Sequence, residues 1–403
     1  MFNLNITNYP TLPSLTFAIF RSNYLKDIEK KGFYIPLIKG KMYNDIKYSY
    51  TGGSTDMFIP QNPEGSKVYA FDVNSLYPTT MSKGMFMPVV SAEKNYVEFF
   101  EGDISLIDQN KEKKAFGFFK VNVETTKDLE HPILQLKTDT SPYGGSGIRT
   151  ISPLGKWNYT YFSEEISNAV SEKNGYKVDI ISGYLFNKFD IFSEFIDELY
   201  KIKEAHDKND PWYAIAKLLM NSLYGRFGMD PNFENHSFIE DLDLDKFLNK
   251  FDVLDIKSLD NNILLISYID KEDIEKSLFS DQTFSGFKSK NVSISIASAI
   301  TAYARIFMSK FKNDPNIKIY YTDTDSLYID KPLEEKFIGK KLGQFKLEHV
   351  FNKFVALAPK VYGGITEDGL EITKVKGLKN KVQFKDLVEL LKKDETLNIK
   401  HEK

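Results

Sequence analysis

The sequence predicts an α+β protein in which a β-hairpin, a buried strand and a pair of helices come from separate parts of the chain. β-Branched and aromatic residues flank an acidic pair between Lys318 and Asp330, which is typical of a hairpin with two carboxylates near its tip. Val68 to Phe71 has the apolar run of a buried strand that ends in a turn. Apolar residues at helical spacing from about Asp190 to Lys208 predict an amphipathic helix.

A second helix is predicted directly after the first, because the Asp210-Pro211 pair supplies a capping residue followed by a proline that suits the first helical position. On this helix Lys217, Asn221 and Tyr224 are spaced i, i+4 and i+7, so they share one face. Gly225 stands where the helix could end. The sequence therefore predicts two antiparallel helices, the second with a polar stripe.

The composition indicates a soluble globular protein whose metal chemistry would use oxygen ligands. The chain has 403 residues, so more than one hydrophobic core is expected. It has no apolar run as long as a membrane span and no signal-peptide pattern, so no membrane partner is expected. The lack of cysteine excludes disulfides and thiolate chemistry. The five histidines lack metal-ligand spacing and are interpreted as structural or surface residues. Any metal is therefore expected on carboxylates, which suits Mg²⁺ or Mn²⁺.

The net charge of −3 argues mildly against nucleic-acid binding, for which a basic surface is expected. The charge is unevenly distributed, however, because the stretch from Lys336 to the end has 15 lysines against 9 acidic residues. These lysines could follow a phosphate backbone. A solvated lysine-rich surface explains the same surplus equally well.

The acidic pair of the hairpin, Asp323 and Asp325, is a candidate metal site. An Asp-Thr-Asp turn by itself is also typical of a solvated connection, because Asp and Thr are common turn residues. A calcium-binding loop is excluded, since the sixth position from Asp323 is Tyr328 and such a loop needs glycine there. Because side chains alternate along a strand, the two aspartates are expected to face the same way.

Two further blocks accompany the hairpin. Val68 to Pro78 reads VYAFDVNSLYP, and Lys217 to Gly228 reads KLLMNSLYGRFG. With the hairpin as the third block, they resemble in order motifs A, B and C of family B DNA polymerases, and most closely the protein-primed branch of certain phages and linear mitochondrial plasmids. The resemblance implies a polymerase right hand, with an antiparallel-sheet palm, two-helix fingers, insertions and a truncated thumb.

The resemblance also divides the chain. The expected parts are a linker (1–42), a first palm part (43–90), an insertion that could contact a priming protein (91–189), fingers (190–229), a second insertion (230–290), a second palm part (291–369) and part of a thumb (370–403). A helix from about Ser293 to Phe311 is expected to lead into the hairpin. Asp27 and Glu29 have the spacing with which the family's proofreading exonuclease begins, but they are interpreted as a chance pair, and the nuclease domain is expected to be absent. No motif for strand displacement is identified in the second insertion.

The resemblance assigns the chemistry to aspartates. Asp72 and Asp325 are expected to bridge two Mg²⁺ ions, with Mn²⁺ as a possible substitute, and Asp323 is the next catalytic candidate. The backbone of Val73 is expected to join the metal ligands. The incoming triphosphate is expected to contact the backbone of the run that follows Asp72, namely Val73, Asn74, Ser75 and Leu76.

Side chains that select the nucleotide are assigned in the same way. Tyr77 takes the position of the steric gate against a 2′-hydroxyl, although by its type alone it would be a core aromatic. Lys217 is expected to bind the triphosphate, and Asn221 with Tyr224 to line the pocket of the nascent base pair. Lys203 takes the place of a second basic residue that is arginine in many relatives, so the charge is kept without a bidentate grip.

Two short motifs are expected to contact DNA. Tyr50, Gly52 and Gly53 match a Tyr-x-Gly-Gly element that touches the template strand, and an ordinary turn is the alternative. Lys360 and Tyr362 match a Lys-x-Tyr element in which the lysine meets the primer strand. The expected partners are therefore a DNA primer-template and deoxynucleoside triphosphates, with a terminal priming protein as a further candidate.

The expected function is template-directed addition of deoxynucleotides to a primer 3′-hydroxyl by two-metal phosphoryl transfer, in replication of a linear plasmid or organellar DNA. The resemblance to linear-plasmid enzymes suggests a mitochondrial setting, although no transit peptide is visible. An alternative is a truncated polymerase remnant that binds nucleic acid without catalysis. A reverse transcriptase is a third hypothesis, but such enzymes have adjacent aspartates, whereas Thr324 separates the two here, and Tyr77 stands as a sugar gate.

Overall fold

The computed structural model describes residues 2, 4–102, 115–125, 129–143, 147–171, 174–229, 235–259, 262–270, 292–378, 382–392 and 395–398. Its centre is a seven-stranded antiparallel sheet. From one edge to the other its strands are Glu371–Val375, Val361–Thr366, Phe345–Ala358, Val68–Val73, Ser326–Ile329, Ile319–Asp323 and Thr55–Met57. The predicted hairpin is present in it, formed by the pair Ile319–Asp323 and Ser326–Ile329.

Val68–Val73, the central strand, lies between the hairpin and the long strand Phe345–Ala358. Its side chains alternate between two apolar layers, with Phe71 and Val73 on one side and Val68 and Ala70 on the other. Both faces of the sheet are therefore covered, which explains why the strand reads as a continuous apolar run. The strand extends two residues further than predicted, because Val73 is buried and its N–H donates to the Asp325 carbonyl at 2.9 Å.

One face of the sheet packs against the core helix, Ile294–Lys312. It begins after Ser293 as predicted and ends one residue beyond the predicted limit of Phe311. Small side chains such as Ala297 and Ala302 are fully buried along it, so neighbouring elements approach its backbone closely. The other face of the sheet has an aromatic layer made of Tyr320, Tyr321, Tyr328, Phe351 and Phe354.

The predicted helix pair is present as Ser193–Glu204 and Pro211–Phe227. Asp210 caps the second helix, since its side chain accepts a hydrogen bond from the Trp212 N–H at 2.9 Å. The prediction that this helix could end at Gly225 is wrong. The helix continues because the buried ring of Phe227 anchors its last turn in an aromatic cluster that includes Phe17, Phe20 and Phe192.

Within the described ranges, three smaller sheets and a ribbon accompany this central sheet. The four-stranded sheet has, in order, the strands Glu98–Glu101, Tyr176–Leu185, Gly117–Thr125 and Lys156–Phe162. One three-stranded sheet has the strands Asn235–Glu240, Ile263–Asp270 and Phe251–Ser258. The other has Phe33–Tyr34, Met87–Ser91 and Asn187–Phe189. The ribbon pairs Leu136–Asp139 with Ile148–Ile151. The strand Gly117–Thr125 pairs with Tyr176–Leu185 on one side and with Lys156–Phe162 on the other.

The other helices in the described ranges are short. They are Leu12–Phe20, Lys26–Lys30, Gly40–Ser49, Leu76–Thr79, Ser163–Ala169, Leu244–Lys250 and Phe384–Glu389, with a π-helical link at Arg21–Leu25 and 3₁₀ turns at Ile6–Asn8, Ser141–Tyr143, Asp241–Asp243 and Glu335–Phe337. Among the residues that the structure describes, no helix has the length and apolar character needed to cross a bilayer.

The edge strand Glu371–Val375 lies in the segment predicted as the start of a thumb, yet it pairs with Val361–Thr366 in the central sheet. Only the short helix Phe384–Glu389 follows it in the described part of the chain. The functional division of the chain into palm, fingers, insertions and thumb stays a prediction.

Candidate active site

The central strand and the hairpin bring two distant carboxylates together. Asp72 is the penultimate residue of the central strand, not the residue after it, and it lies opposite Ser326. Asp325 immediately precedes Ser326, and its carbonyl accepts the Val73 N–H. Two aspartates separated by about 250 positions in the sequence therefore stand next to each other at the end of two paired strands.

The charges of these carboxylates are poorly compensated within the protein. Burial raises the pKa of Asp72 to about 7, and the negative charges of Asp325 and Glu348 add to the effect, against smaller opposing effects of Lys346 and Lys217. Burial also raises the pKa of Asp325, with a further contribution from Asp323. Such a cluster would be stabilised by a bound cation.

Asp323 and Asp325 do not lie two apart on one strand. The prediction that strand alternation makes them face the same way is therefore wrong. Asp323 is the last residue of its strand, whereas Asp325 lies in the two-residue turn with Thr324. Thr324 adopts a left-handed backbone conformation with a φ of 59°. Both acids nevertheless line one cleft, because the turn directs the Asp325 side chain toward the same space.

Asp323 is held by Lys360. The Lys360 Nζ lies 2.7 and 2.8 Å from the two carboxylate oxygens, and the Thr55 hydroxyl donates to Asp323 at 2.9 Å. Lys360 itself occupies a tight turn with a φ of 63°, and its N–H donates to the Tyr321 hydroxyl at 2.9 Å. The structure thus joins the predicted primer-strand lysine directly to the predicted third aspartate.

The cleft around these acids has a volume of about 560 Å³. Predicted residues lining it are Asp72, Tyr77, Asp323, Asp325, Lys360 and Tyr362. Glu348, His349 and Lys374 also line it and were not predicted. Lys346 and Glu348 form an ion pair at 2.7 Å. Their spacing of two residues on one strand was the only sequence feature from which a shared position at the cleft could have been predicted. Nothing in the sequence revealed that Lys346 lies opposite Asp72.

His349 was interpreted as a structural or surface residue, and it combines a packing role with a position at the cleft. Its ring packs against Phe351 with centroids 5.7 Å apart, while part of the residue lines the cleft. Tyr362 contacts the aromatic layer as well, with its ring 4.9 Å from that of Tyr321 and 5.3 Å from that of Tyr328. The floor of the cleft is therefore lined with packed aromatic rings.

Tyr77 stacks on Tyr224, which joins the first block to the second. The ring centroids are 4.0 Å apart and the planes are inclined by 20°. Tyr77 follows Ser75, whose φ of 54° turns the chain sharply from the central strand into the helix Leu76–Thr79. The stack places the helix Pro211–Phe227 over the end of the central strand.

Some backbone N–H groups after Asp72 already donate hydrogen bonds within the protein. The N–H of Val73 donates to Asp325, and that of Asn74 donates to the Gln344 carbonyl at 2.9 Å. The Asn74 side chain donates to the Gly339 carbonyl at 2.7 Å. Of the four residues predicted to contact a triphosphate, Ser75 and Leu76 are therefore the better candidates for donating a backbone N–H, because they begin a helix.

The polar stripe of the second helix faces the acids. The exposed Lys217 lowers the pKa of Asp72, and it also contributes, after burial, to a lowered pKa of Lys203. Lys203 lies 5.6 Å from the ring centres of Tyr200 and Tyr213. Asn221 donates its side-chain amide to the Lys217 carbonyl at 2.7 Å, so one of its polar groups is used within the helix. Lys217 thus faces the space near Asp72, and Lys203 lies close to Lys217.

The Tyr50 loop, residues 50–54, packs on the tip of the hairpin. A Cβ atom on Gly53 would lie 2.6 to 2.9 Å from atoms of Thr324, so only glycine fits there. A Cβ on Gly52 would meet nothing within 4 Å. The Thr324 N–H donates to the Ser54 carbonyl at 2.9 Å, and the Tyr50 side chain lies against Gly228. The loop therefore connects the hairpin to the end of the second helix.

A buried arginine fixes this loop. Arg305 of the core helix donates to the carbonyls of Thr51 and Gly52 at 2.6 and 3.2 Å. Its other nitrogens form a bidentate ion pair with Glu165 at 2.6 and 2.9 Å, and both side chains are almost fully buried. Sequence reasoning missed this pair, because its members lie 140 positions apart with no motif to link them.

Comparison with known proteins is consistent with this geometry. Residues 1–317 match the family model described as DNA polymerase type B, organellar and viral. This chain belongs to that family. Two fungal relatives, each named a probable DNA polymerase, are 39% identical over the whole chain (Neurospora intermedia) and 36% identical over 96% of it (Ascobolus immersus). The chain spans 39% and 30% of the length of these relatives.

The type B fold is also seen among solved structures. The Phi29 DNA polymerase structure with primer-template DNA and incoming nucleotide has a TM-score of 0.62, with 20% identity, covering 94% of this chain and 62% of that one. The DNA polymerase of Bacillus phage phi29 is 28% identical over 205 residues, which is 49% of this chain. The predicted family and the predicted right-hand polymerase fold are confirmed.

A type B polymerase implies a divalent metal, and the acids present fit one. Asp72 and Asp325 offer hard oxygen ligands whose pKa values are raised by burial and by neighbouring negative charge. Carboxylate oxygens are the ligand type that Mg²⁺ takes in proteins, usually one or two of them beside substrate phosphates and water.

Proposed function

We propose that the chain is the catalytic region of a template-directed DNA polymerase, which adds deoxynucleotides to a primer 3′-hydroxyl. The observation that carries the proposal is the convergence of Asp72 and Asp325 beside the lysine-bearing helix and the stacked pair of Tyr77 and Tyr224. Since the chain spans only part of its relatives, the activity of the whole protein is part of the proposal.

The two acids would hold the divalent ions, with the Val73 backbone as a further ligand. When bound, such ions lower the pKa of the attacking hydroxyl and neutralise charge on the phosphates. The protein contributes rigid ligands, because Asp72 lies within a paired strand and Asp325 in a turn fixed by hydrogen bonds from Val73 and, through Thr324, to Ser54. Phosphoryl transfer depends mostly on such positioning and charge stabilisation.

The triphosphate would lie between the acids and the second helix. The positive charge of Lys217 lowers the pKa of Asp72 and adds to the burial that lowers the pKa of Lys203. Two neighbouring cations beside the acids would form a site for a polyanion that carries metal. The N–H groups of Ser75 and Leu76 would approach the phosphates from the opposite side.

The stacked tyrosines would select the sugar and the base pair. Tyr77 is half-buried under Tyr224, so its ring cannot move away from the central strand without giving up that stack. A ribonucleotide would bring a 2′-hydroxyl toward this fixed ring. Tyr224 and Asn221 would contact the nascent base pair along the helix face.

The DNA itself would pass along both sides of the cleft. Lys360 and Tyr362 would contact the primer strand, and the Tyr50 loop, with Gly52 and Gly53, would contact the template. The ion pair of Lys360 with Asp323 keeps the lysine at the cleft until a phosphate competes for it. Asp323 would then be released to support the metal site.

The setting is proposed from the relatives. The family is described as organellar and viral, and the fungal relative from Neurospora intermedia is named a probable DNA polymerase. We propose replication of a linear plasmid or organellar DNA, a mitochondrial location and priming by a terminal protein, which would contact the 91–189 insertion. Localisation of a tagged copy to mitochondria would test the location, and covalent transfer of a labelled nucleotide to a co-purified protein would test the priming.

A primer-extension assay with purified chain, Mg²⁺ and deoxynucleotides tests the activity. The parent chain is expected to extend the primer, and Asp72→Asn and Asp325→Asn are expected to abolish extension while still binding primer-template. Asp179→Asn, which alters an exposed side chain on the strand Tyr176–Leu185, is the matched control and is expected to retain activity.

Other outcomes separate the competing hypotheses. Tight DNA binding by the parent without any extension, with either Mg²⁺ or Mn²⁺, would favour the non-catalytic remnant. Equal use of ribo- and deoxyribonucleotides would contradict the role of Tyr77. Near-normal extension by either aspartate variant would refute the proposed site.

A further inference from the structure

A buried lysine at the end of the core helix lies outside the three sequence blocks. The Lys312 side chain is 5% exposed, and its Nζ lies 2.8 Å from a carboxylate oxygen of Asp56. The same Nζ donates a hydrogen bond to the Ser54 hydroxyl. Asp56 is the middle residue of Thr55–Met57, the edge strand of the central sheet. Lys312 therefore connects the core helix to that edge strand and to the Tyr50 loop.

Aromatic rings lie beside the Lys312 ammonium. Its Nζ lies 6.0 Å from the ring centre of Phe58, and the His131 ring packs edge-on against Phe58 with centroids 4.4 Å apart. Burial lowers the pKa of His131; the negative charge of Glu130 opposes this effect, and the positive charge of Lys312 adds to it. His131 is therefore uncharged at neutral pH, and the counter-charge in direct contact with Lys312 is that of Asp56.

The edge strand contacts different groups on its two faces. Asp56 is directed toward the core helix, where Lys312 binds it. Thr55 pairs with Asp323, and its hydroxyl donates to an Asp323 carboxylate oxygen at 2.9 Å. Neighbouring residues of a strand point to opposite faces. Lys312 therefore holds the strand from one face while Thr55 holds Asp323 on the other.

Ser54 provides a second connection to the hairpin. Its hydroxyl accepts the hydrogen bond from Lys312, and its carbonyl accepts the N–H of Thr324 at 2.9 Å. Thr324 directly precedes Asp325 in the hairpin turn. Lys312 is thus linked to Asp325 through Ser54 and the backbone of the turn.

A buried lysine with a carboxylate partner can also be a purely structural ion pair, whose loss would lower stability and nothing else. The place of this pair favours a more specific role. The edge strand Thr55–Met57 is only three residues long, so it has few backbone hydrogen bonds and depends on side chains to stay in place. Both connections to the acids of the hairpin start on this strand or on the residue before it.

We propose that Lys312 is a positioning residue for the metal site, because it holds Ser54 and Asp56 and thereby fixes the hairpin that carries the acids Asp323 and Asp325. This inference rests on the proposed polymerase function and adds to it a residue that does not line the cleft. Residues that orient metal ligands from outside typically change metal affinity or activity by about 10- to 100-fold when they are replaced. The loss of the Lys312 ammonium is expected to lie at the lower end of that range, because the acids keep their other contacts.

The first test measures Mg²⁺ binding without DNA. Urea unfolding of the chain at pH 8 is followed at increasing Mg²⁺ concentrations, and the apparent Mg²⁺ dissociation constant is obtained from the rise in the free energy of unfolding. Lys312→Met keeps much of the apolar stem and removes the ammonium. We expect this variant to raise the dissociation constant by roughly tenfold, because the acids are held less firmly.

Primer extension gives a second readout. At saturating Mg²⁺, Lys312→Met is expected to lower kcat by roughly tenfold and to change the KM for deoxynucleotide by less than about twofold. A purely structural pair would instead lower the free energy of unfolding equally at every Mg²⁺ concentration and leave kcat unchanged. Lys310→Met is the matched control, since Lys310 is an exposed lysine on the same helix, and it is expected to keep the dissociation constant and the kcat of the parent.

A double variant tests whether Lys312 acts through Asp56. Lys312→Met combined with Asp56→Asn removes both charges, so it also serves if Lys312→Met alone does not fold with Asp56 left unpaired. If the two residues act through one contact, the double variant is expected to bind Mg²⁺ within about twofold of Lys312→Met. Separate effects that multiply in the double variant would contradict a shared contact.

The inference is overturned if Lys312→Met or the double variant folds and binds Mg²⁺ with the dissociation constant and the kcat of the parent. Failure of the proposed function would appear differently, because the parent chain would then show neither stabilisation by Mg²⁺ nor primer extension. In that case the positioning role falls with it.

Discussion

Replacing Asp72 with asparagine is expected to stabilise the metal-free protein while abolishing its activity. The carboxyl has a pKa of about 7 in the folded chain against a usual value near 3.8, because it is partly buried beside Asp325. An unfolded chain releases this proton near pH 4, whereas the folded chain keeps it until about pH 7. Folding is therefore penalised increasingly between these two pH values and fully above pH 7.

The magnitude follows from the size of the shift. Each pKa unit corresponds to 1.36 kcal/mol, so a fully sheltered carboxylate with this shift would cost about 4 kcal/mol above pH 7. Asp72 is only partly buried, and solvent screening reduces the cost to roughly 2 kcal/mol. Asparagine has nearly the same shape and cannot ionise, so it removes this cost. We expect Asp72→Asn to be more stable than the parent by about 2 kcal/mol at pH 8 and by much less at pH 5.

Urea unfolding in EDTA at several pH values between 5 and 8 measures the difference, with the midpoint compared between parent and variant. Adding Mg²⁺ at pH 8 is expected to stabilise the parent and not the variant, because the ion replaces the missing counter-charge. Asp179→Asn, which alters an exposed aspartate, is expected to show no pH-dependent difference. The electrostatic reasoning would be refuted if the variant were less stable than the parent at pH 8. It would also be refuted if the difference in urea midpoint were the same at every pH.

Three further predictions concern selectivity, geometry and the buried ion pair. Tyr77→Val is expected to lower the preference for deoxy- over ribonucleotides by at least roughly tenfold in the ratio of kcat/KM values, and an unchanged ratio would contradict the gate. Gly53→Ala is expected to lower kcat by about a hundredfold, because its Cβ would push Thr324 and the hairpin out of position. Gly52→Ala, whose Cβ meets no protein atom but whose loop would contact the template, is expected to lower kcat far less in the same steady-state assay. Glu165→Gln is expected to destabilise the chain by about 3 kcal/mol or more in urea unfolding, because Arg305 would keep a buried charge without its partner, and a destabilisation below about 1 kcal/mol would show that the pair is not needed.

Local elements could be predicted well from the sequence. The hairpin, the capped second helix and the core helix were recognised because their signals lie within a few residues, as in the Asp210-Pro211 cap. The errors concerned where two of these elements end. The second helix passes Gly225 because Phe227 is buried in a distant aromatic cluster, and the central strand reaches Val73 because Asp325 pairs with it. Tertiary contacts overrode the local signals in both cases.

For the candidate site, the sequence predicted the residues and their chemistry but not their contacts. The order of the three blocks predicted Asp72, Asp325 and Lys217 as site residues, and the family match agrees with the polymerase resemblance. The sequence could not show that Asp323 is held by Lys360, since this ion pair joins residues 37 positions apart through the turn geometry of two hairpins. Glu348 was missed for the same reason, because only strand register places it near Asp72.

The sequence by itself determined which functional groups are available, because residue types and their short-range spacing are local properties. The tertiary structure decided which of those groups meet, how deeply the carboxylates are buried and hence where their protons are held. Distances across paired strands depend on register, and charge effects depend on burial. Neither quantity is encoded in any single stretch of the chain.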